Sequence, residues 1–178
     1  RFRREAMAAS RLEHENCVKV FDFGQDPDGT FYIAMEYVEG QRLADVLSTD
    51  GPFPFERAWN VAAQLASALD AAHTAGVLHR DLKPQNLMVT MHPQRGETLK
   101  VVDFGIAKLL GPLESSGQSI TTPGSIFGTP EYMSPEQARG EPLDVRTDLF
   151  SMAVVVWHLM LGRSPFRGPG VRERSEEH

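Results

Sequence analysis

Two stretches of the 178-residue chain hold the residue types on which chemistry would turn. His79-Arg80-Asp81-Leu82-Lys83-Pro84-Gln85-Asn86 offers an anionic acceptor, a cation and an amide oxygen within a single loop. Asp103-Phe104-Gly105 adds a second carboxylate 22 positions after Asp81. Asp81 and Lys83 alternate along an extended loop, so both can face one reacting centre. Asn86 and Asp103 are hard oxygen ligands at the ends of neighbouring predicted strands, suited to Mg²⁺ bridging phosphates. An acceptor, a point cation and a Mg²⁺ pair are what phosphoryl transfer requires, because its catalysis is positioning plus charge neutralisation. A lone Asp-Phe-Gly means little, since a given letter recurs about once in twenty. Eight or more fixed letters in order exceed coincidence.

The elements that must hold these loops are legible from periodicity. Arg1 to Leu12 reads as a helix, with Phe2, Ala6, Ala9 and Leu12 at helical spacing. Cys17–Phe23 and Phe31–Val38 read as strands around the turn residues Asp26-Pro27-Asp28-Gly29, which predicts a hairpin with Met35 as a buried filler. A short helix is predicted over Leu43–Leu47. The clearest helix runs from Phe55 to Thr74, with Ala58, Val61, Ala62, Leu65, Ala68, Leu69 and Ala72 on one face and Gly76 as its stop. Leu87–Thr90 and Leu99–Val102 read as strands flanking the Asn86 and Asp103 loops. The stretch 111–128 is rich in Ser, Thr, Gly and Pro and reads as a loop. Leu149–Leu161, apolar nearly all round, predicts a helix buried on every side. The order predicts an α+β fold.

Composition removes several classes of function. A net charge of −6 gives no basic surface for nucleic acid. The single cysteine, Cys17, rules out an internal disulfide and suits a reducing compartment. The longest apolar run is shorter than the roughly 20 residues a membrane span needs, so no membrane segment is expected in this chain. The first residues, Arg1-Phe2-Arg3-Arg4-Glu5, carry neither a methionine nor a signal peptide, and a fragment is expected.

Together the motifs resemble the eukaryotic-type (Hanks-type) protein kinase family, in particular its bacterial serine/threonine branch, from Arg1 to about Phe166. The resemblance implies a protein-kinase-like fold in three parts. Residues 1–38 would be a remnant of the small β-lobe, one helix and a hairpin leading into the hinge. Residues 39–170 would form most of the helical large lobe, and 171–178 a divergent tail arising by truncation or frameshift. It implies transfer of the ATP γ-phosphate, with Mg²⁺, to serine or threonine hydroxyls of protein substrates. By resemblance, Asp81 accepts the hydroxyl proton, Lys83 neutralises the transferred phosphoryl group, and Asn86 and Asp103 hold two Mg²⁺ ions. Lysine two residues after the aspartate marks the serine/threonine branch. Met35 would be the gatekeeper, and the backbones of Glu36 and Val38 would bond adenine. His79, Phe104 and Gly105 complete the two loops.

Gly128-Thr129-Pro130-Glu131-Tyr132-Met133-Ser134-Pro135-Glu136 resembles the segment that docks a protein substrate. There Thr129 would bond Asp81 and Lys83, and Glu136 would pair with an arginine of a later helix. Asp148 would brace the catalytic-loop backbone. Arg80 implies control by phosphorylation, with Thr121 and Thr122 as candidate sites and a kinase dimer for trans-autophosphorylation. A cytoplasmic location is implied, with a membrane tether in the parent protein beyond the C-terminus.

Glu5 resembles the glutamate that pairs with a strand lysine, yet all four lysines, Lys19, Lys83, Lys100 and Lys108, follow it. No Gly-x-Gly-x-x-Gly occurs. The 178 residues alone are therefore expected to bind ATP weakly and turn over little. Glu136 is expected to stand unpaired, an uncompensated charge costing about 3–5 kcal/mol. The alternative is a non-catalytic, pseudokinase-like scaffold or regulator, which would not need Asp81, Lys83, Asn86 and Asp103 together. A small-molecule kinase of related fold is disfavoured by the docking segment.

Overall fold

The computed structural model describes residues 12–104 and 130–166. The predicted first helix with Glu5, the residues Gly105, Lys108, Thr121, Thr122 and Thr129, the loop 111–128 and the tail 171–178 lie outside the described residues.

Strands β1 (Val20–Gln25) and β2 (Phe31–Met35) form an antiparallel hairpin closed by the Asp26–Gly29 turn. Gly29 adopts φ 90°, which a side chain would resist. A second sheet has the order β3 (Gln41–Arg42), β4 (Leu87–His92), β5 (Gly96–Val101), all antiparallel. Residues 16–18 run along the outer side of β5: Val18 N–H donates to Val101 O at 2.9 Å and Val101 N–H to Asn16 O at 2.7 Å. Asn16 is buried, and its amide bonds Gln64 Oε1 at 2.9 Å and Leu99 O at 2.8 Å. This seam fastens the segment leading to the hairpin onto the larger unit.

Helix α1 (Leu43–Asp50) begins directly after β3. Gly40 is required there, because a Cβ would collide with the Val89 carbonyl on β4. Helix α2 spans Phe55–Thr74, with all seven predicted apolar positions buried. Helix α3 (Pro135–Arg139) is short and carries a capping box between Ser134 and Gln137, with Pro135 at its first turn. Helix α4 (Val145–Leu161) starts at the Asp144 cap, four residues ahead of the predicted apolar run, and stops at Gly162 with φ 67°.

The core joins α1, α2, α4 and the β3–β5 sheet through Leu43, Leu65, Leu69, Leu87, Leu99, Val155 and Leu159. Contrary to prediction, α4 is not buried on every side. Val154, Val155 and Leu159 face the core, while Leu149, Trp157, Met160 and Leu161 are exposed. An apolar helix surface is covered only where another element packs on it, and among the described residues only one face of α4 has such a neighbour.

Candidate active site

The turn after α2 delivers the catalytic loop into the core. His79 is fully buried. Its Nε2 lies 3.1 Å from Val102 O, its Nδ1 accepts from Asp81 N–H at 3.2 Å, and its ring lies 5.2 Å from that of Phe104. Those partners suit a neutral imidazole carrying its proton on Nε2. The ring thus ties the backbone of Asp81 to the strand end that leads to Asp103. Burial pushes the His79 pKa down, only partly opposed by Asp148 and other neighbouring charges. The unfolded chain therefore binds a proton below about pH 6.5 that the folded chain does not. Stability is expected to be insensitive to this group above that pH and to fall as pH drops toward the lowered folded value, by at most about 1.4 kcal/mol per unit. Urea unfolding midpoints at several pH values check this, since His79→Gln should show a shallower acid slope than the parent.

Arg80 occupies a left-handed backbone conformation, φ 64°, unusual for a bulky residue. Three contacts over-determine it. Asp148, itself buried, accepts from Arg80 N–H at 2.8 Å through Oδ1 and from His79 N–H at 2.8 Å through Oδ2. Gln137 Nε2 donates to Arg80 O at 2.7 Å from α3. His73, in the last turn of α2, adds a third partner for Asp148 at 2.8 Å.

Asp81 and Lys83 form an ion pair at 2.9 Å, each side chain about one-fifth exposed. A 3₁₀ turn over Pro84–Asn86 brings Asn86 back onto the loop. Its Nδ2 donates to Asp81 O at 2.8 Å and to Asp81 Oδ2 at 3.1 Å. With Nδ2 so engaged, Oδ1 is the side-chain atom left for a cation. Val102 N–H donates to Asn86 O at 3.0 Å, which sets Asp103 beside Asn86. Asp103 is exposed and also left-handed, φ 57°. Among the described residues no three His, Cys, Asp or Glu cluster as a metal cage. An amide oxygen plus one carboxylate fits a Mg²⁺ that keeps water and phosphate as its other ligands.

At the end of β2, Met35 is 38% exposed and not a buried filler. The Glu36 N–H is already given to Lys19 O at 2.8 Å, so of that residue's backbone the carbonyl is what an adenine would meet. Burial opposes ionisation of the Glu36 side chain, but Lys100 and the Lys19 N–H more than offset it and lower its pKa. Lys100 Nζ sits 2.9 Å from Glu36 Oε1, linking the end of β2 to β5, the strand that leads to Asp103. Val38 follows on the same segment and is half-buried.

Glu136 is not unpaired. Thr147 Oγ1 donates to its Oε1 at 2.7 Å and holds its carboxyl below the usual range. The carboxylate is only part-buried, so a hydroxyl suffices where a fully buried charge would need a cation. Tyr132 is buried, its carbonyl accepting from Ser151 Oγ at 2.7 Å and its hydroxyl lying 2.6 Å from His158 Nδ1.

The structure thus gathers His79, Arg80, Asp81, Lys83, Asn86, Asp103, Phe104 and Asp148 in one place, with Met35, Glu36 and Val38 on a separate strip. Sequence reasoning passed over His73, Gln137, His158 and the Lys100 contact. Polar residues on the last turn of α2 and on the buried side of α4 were the available signal.

A family model described as "Protein kinase domain" matches residues 1–178. Serine/threonine-protein kinase pkn3 of Myxococcus xanthus is 51% identical over 166 residues, covering 93% of this chain and 30% of pkn3. Serine/threonine-protein kinase PknB of Mycolicibacterium smegmatis is 43% identical over 171 residues, 94% of this chain and 26% of PknB. The PknI kinase domain of Mycobacterium tuberculosis, in the crystal structure of a cysteine-to-alanine mutant, superposes with a TM-score of 0.72 at 30% identity, over 93% of this chain and 58% of that one. The chain spans less than a third of the length of those two full kinases. With this loop geometry and these relatives, the chain belongs to the protein kinase domain family, alongside bacterial serine/threonine kinases.

Proposed function

We propose that the protein containing this chain transfers the γ-phosphate of ATP to serine or threonine hydroxyls of protein substrates. The arrangement of Asp81 carries this reading: its carboxylate is held by Lys83 at 2.9 Å and by the Asn86 amide at 3.1 Å, beside Asp103. In this role Asp81 accepts the proton of the attacking hydroxyl. Lys83 moves its charge from Asp81 toward the phosphoryl group. Asn86 Oδ1 and Asp103 hold Mg²⁺, which when bound supplies charge neutralisation at the phosphates. The Glu36 carbonyl and the Val38 backbone orient adenine, with Met35 beside it. Residues 12–38 act as the start of a small lobe, and 39–166 as the large lobe. Thr129 supports Asp81 and Lys83, and phosphate on Thr121 or Thr122 is drawn to Arg80, delivered by a second copy of the kinase. The reaction takes place in the cytoplasm.

One labelling experiment tests this reading. The full-length gene product, incubated with γ-labelled ATP and Mg²⁺, should place label on serine and threonine of an acceptor protein and none on tyrosine. Absence of transfer would overturn it. A polypeptide of these 178 residues, lacking a lysine ahead of Glu5 and a glycine-rich loop, should transfer little in the same assay. In the full-length protein, unchanged transfer after replacing both Thr121 and Thr122 with Ala would remove the phosphorylation control.

A further inference from the structure

Gln137 reaches from α3 to the catalytic loop with both ends of its carboxamide engaged. Oε1 accepts from Ser134 N–H at 3.0 Å, which closes the capping box, and Nε2 donates to Arg80 O at 2.7 Å. A backbone N–H needs an acceptor and a backbone carbonyl needs a donor, so these two partners admit one orientation of the amide. The capping box alone does not ask for glutamine, because glutamate serves that position as well. The bond to Arg80 O does require the amide nitrogen. A carboxylate there offers no donor and sets a negative charge against a carbonyl oxygen. The residue type thus points past the helix end to the loop.

The peptide unit joining Arg80 to Asp81 is held at its two ends by different elements. Its carbonyl accepts from Gln137, and its N–H donates to the His79 ring at 3.2 Å, the longer of the two bonds. The preceding N–H groups, those of His79 and Arg80, go to Asp148 instead. Arg80 is left-handed, φ 64°, and such a conformation persists only where the surroundings hold it. The peptide is planar, so its tilt sets the direction in which the Asp81 side chain leaves the backbone. Without Gln137 this plane loses the shorter of the two bonds, and rotation about it turns the Asp81 carboxylate off its line. The Asn86 bond to Asp81 O and the Val102 bond to Asn86 O lie beyond this peptide and stay in place.

We propose that Gln137 is a positioning residue for the chemical step: its amide nitrogen holds the Arg80 carbonyl, orients the peptide ahead of Asp81 and so aims the carboxylate that accepts the substrate proton. The inference rests on the kinase reading of Asp81. Gln137 acts through Arg80 and touches no reacting atom. Its effect belongs in kcat, because a fraction of molecules with Asp81 misdirected lowers the rate in proportion and leaves binding as it was.

The test compares Gln137→Glu with Gln137→Met in the full-length gene product. Glutamate keeps the acceptor for Ser134 N–H and deletes the donor to Arg80 O, whereas methionine deletes both. Gln137→Glu should lower kcat about tenfold, the scale of one hydrogen bond lost at a part-buried carbonyl. The KM values for ATP and for a serine-containing peptide should stay within about twofold and the thermal midpoint within about two degrees, since the cap survives. Gln137→Met should match that fall in kcat and add a lower thermal midpoint from loss of the cap. Parental kcat in Gln137→Glu, a deficit carried by either KM, or a thermal loss as large as that of Gln137→Met would each overturn the proposal. Hydrogen–deuterium exchange reads the same peptide without turnover. The Asp81 amide should exchange about tenfold faster in Gln137→Glu, with the His79 and Arg80 amides on Asp148 unchanged. If the parent transfers no phosphate, the kinase reading fails on that result alone. An Asp81 amide that exchanges at the parental rate would still overturn this inference independently.

Discussion

Replacing Asp81 with Asn lowers phosphoryl transfer by about 10²- to 10⁴-fold, the range for loss of a positioned proton acceptor. The substitution keeps the side-chain shape but removes the negative charge. Lys83 loses its 2.9 Å partner, whereas the Asn86 bond to the Asp81 carbonyl at 2.8 Å is a backbone contact and survives. The loop therefore stays folded, and the deficit falls on kcat. Single-turnover label transfer in the full-length protein measures it, alongside a thermal unfolding midpoint that should shift by no more than a few degrees. A variant retaining more than a tenth of the parent rate would show that Asp81 is not the acceptor.

The second large effect is expected at Asp148. Asp148→Ala strands two backbone N–H groups, those of His79 and Arg80, at the head of a buried loop. It also removes the partner of His73. Hydrogen bonds to a charged group contribute about 1.5–3 kcal/mol each, and an unsatisfied buried donor costs about 1–3 kcal/mol. A loss of about 3 kcal/mol or more is expected, a large share of a total of about 5–15 kcal/mol. Asp148→Asn keeps one acceptor oxygen and should cost about half as much. Urea unfolding of the two variants gives the comparison; a loss under about 1 kcal/mol for Ala would sink the role. Activity should drop further than stability accounts for, because Arg80 then has less to hold its left-handed backbone beside Asp81.

Helix α2 was legible to the residue because its apolar positions at Ala58, Val61, Ala62, Leu65, Ala68, Leu69 and Ala72 and its stop signal at Gly76 agree. Strand ends were less so: β4 reaches His92 and β5 starts at Gly96, since a hairpin's pairing continues as far as its turn permits whatever the polarity of its tip. The start of α4 at Val145 was missed because its first turn is polar and set by the Asp144 cap, not by apolar spacing. Which residues could do chemistry was readable from their types. What holds them was not, because contacts such as His73 with Asp148 or Gln137 with Arg80 join positions 75 and 57 residues apart and follow no motif. Glu136 shows the same limit: its contact with the Thr147 hydroxyl joins positions 11 residues apart, follows no motif and needed the fold.

Arg80 and Asp103 are the only non-glycine residues with positive φ among those described, and they stand on either side of the Asp81–Asn86 loop. Each conformation costs on the order of 1–3 kcal/mol that a glycine would largely avoid. Robustness and activity therefore pull in opposite directions at these two positions. Asp103→Gly would relax the backbone and delete the proposed Mg²⁺ ligand in one step, so on the proposed function a screen for heat resistance alone would enrich inactive protein. On the proposed function, a gene copy released from catalysis would gain durability by losing these residues first, which makes the two positions a gauge of whether a relative is still active.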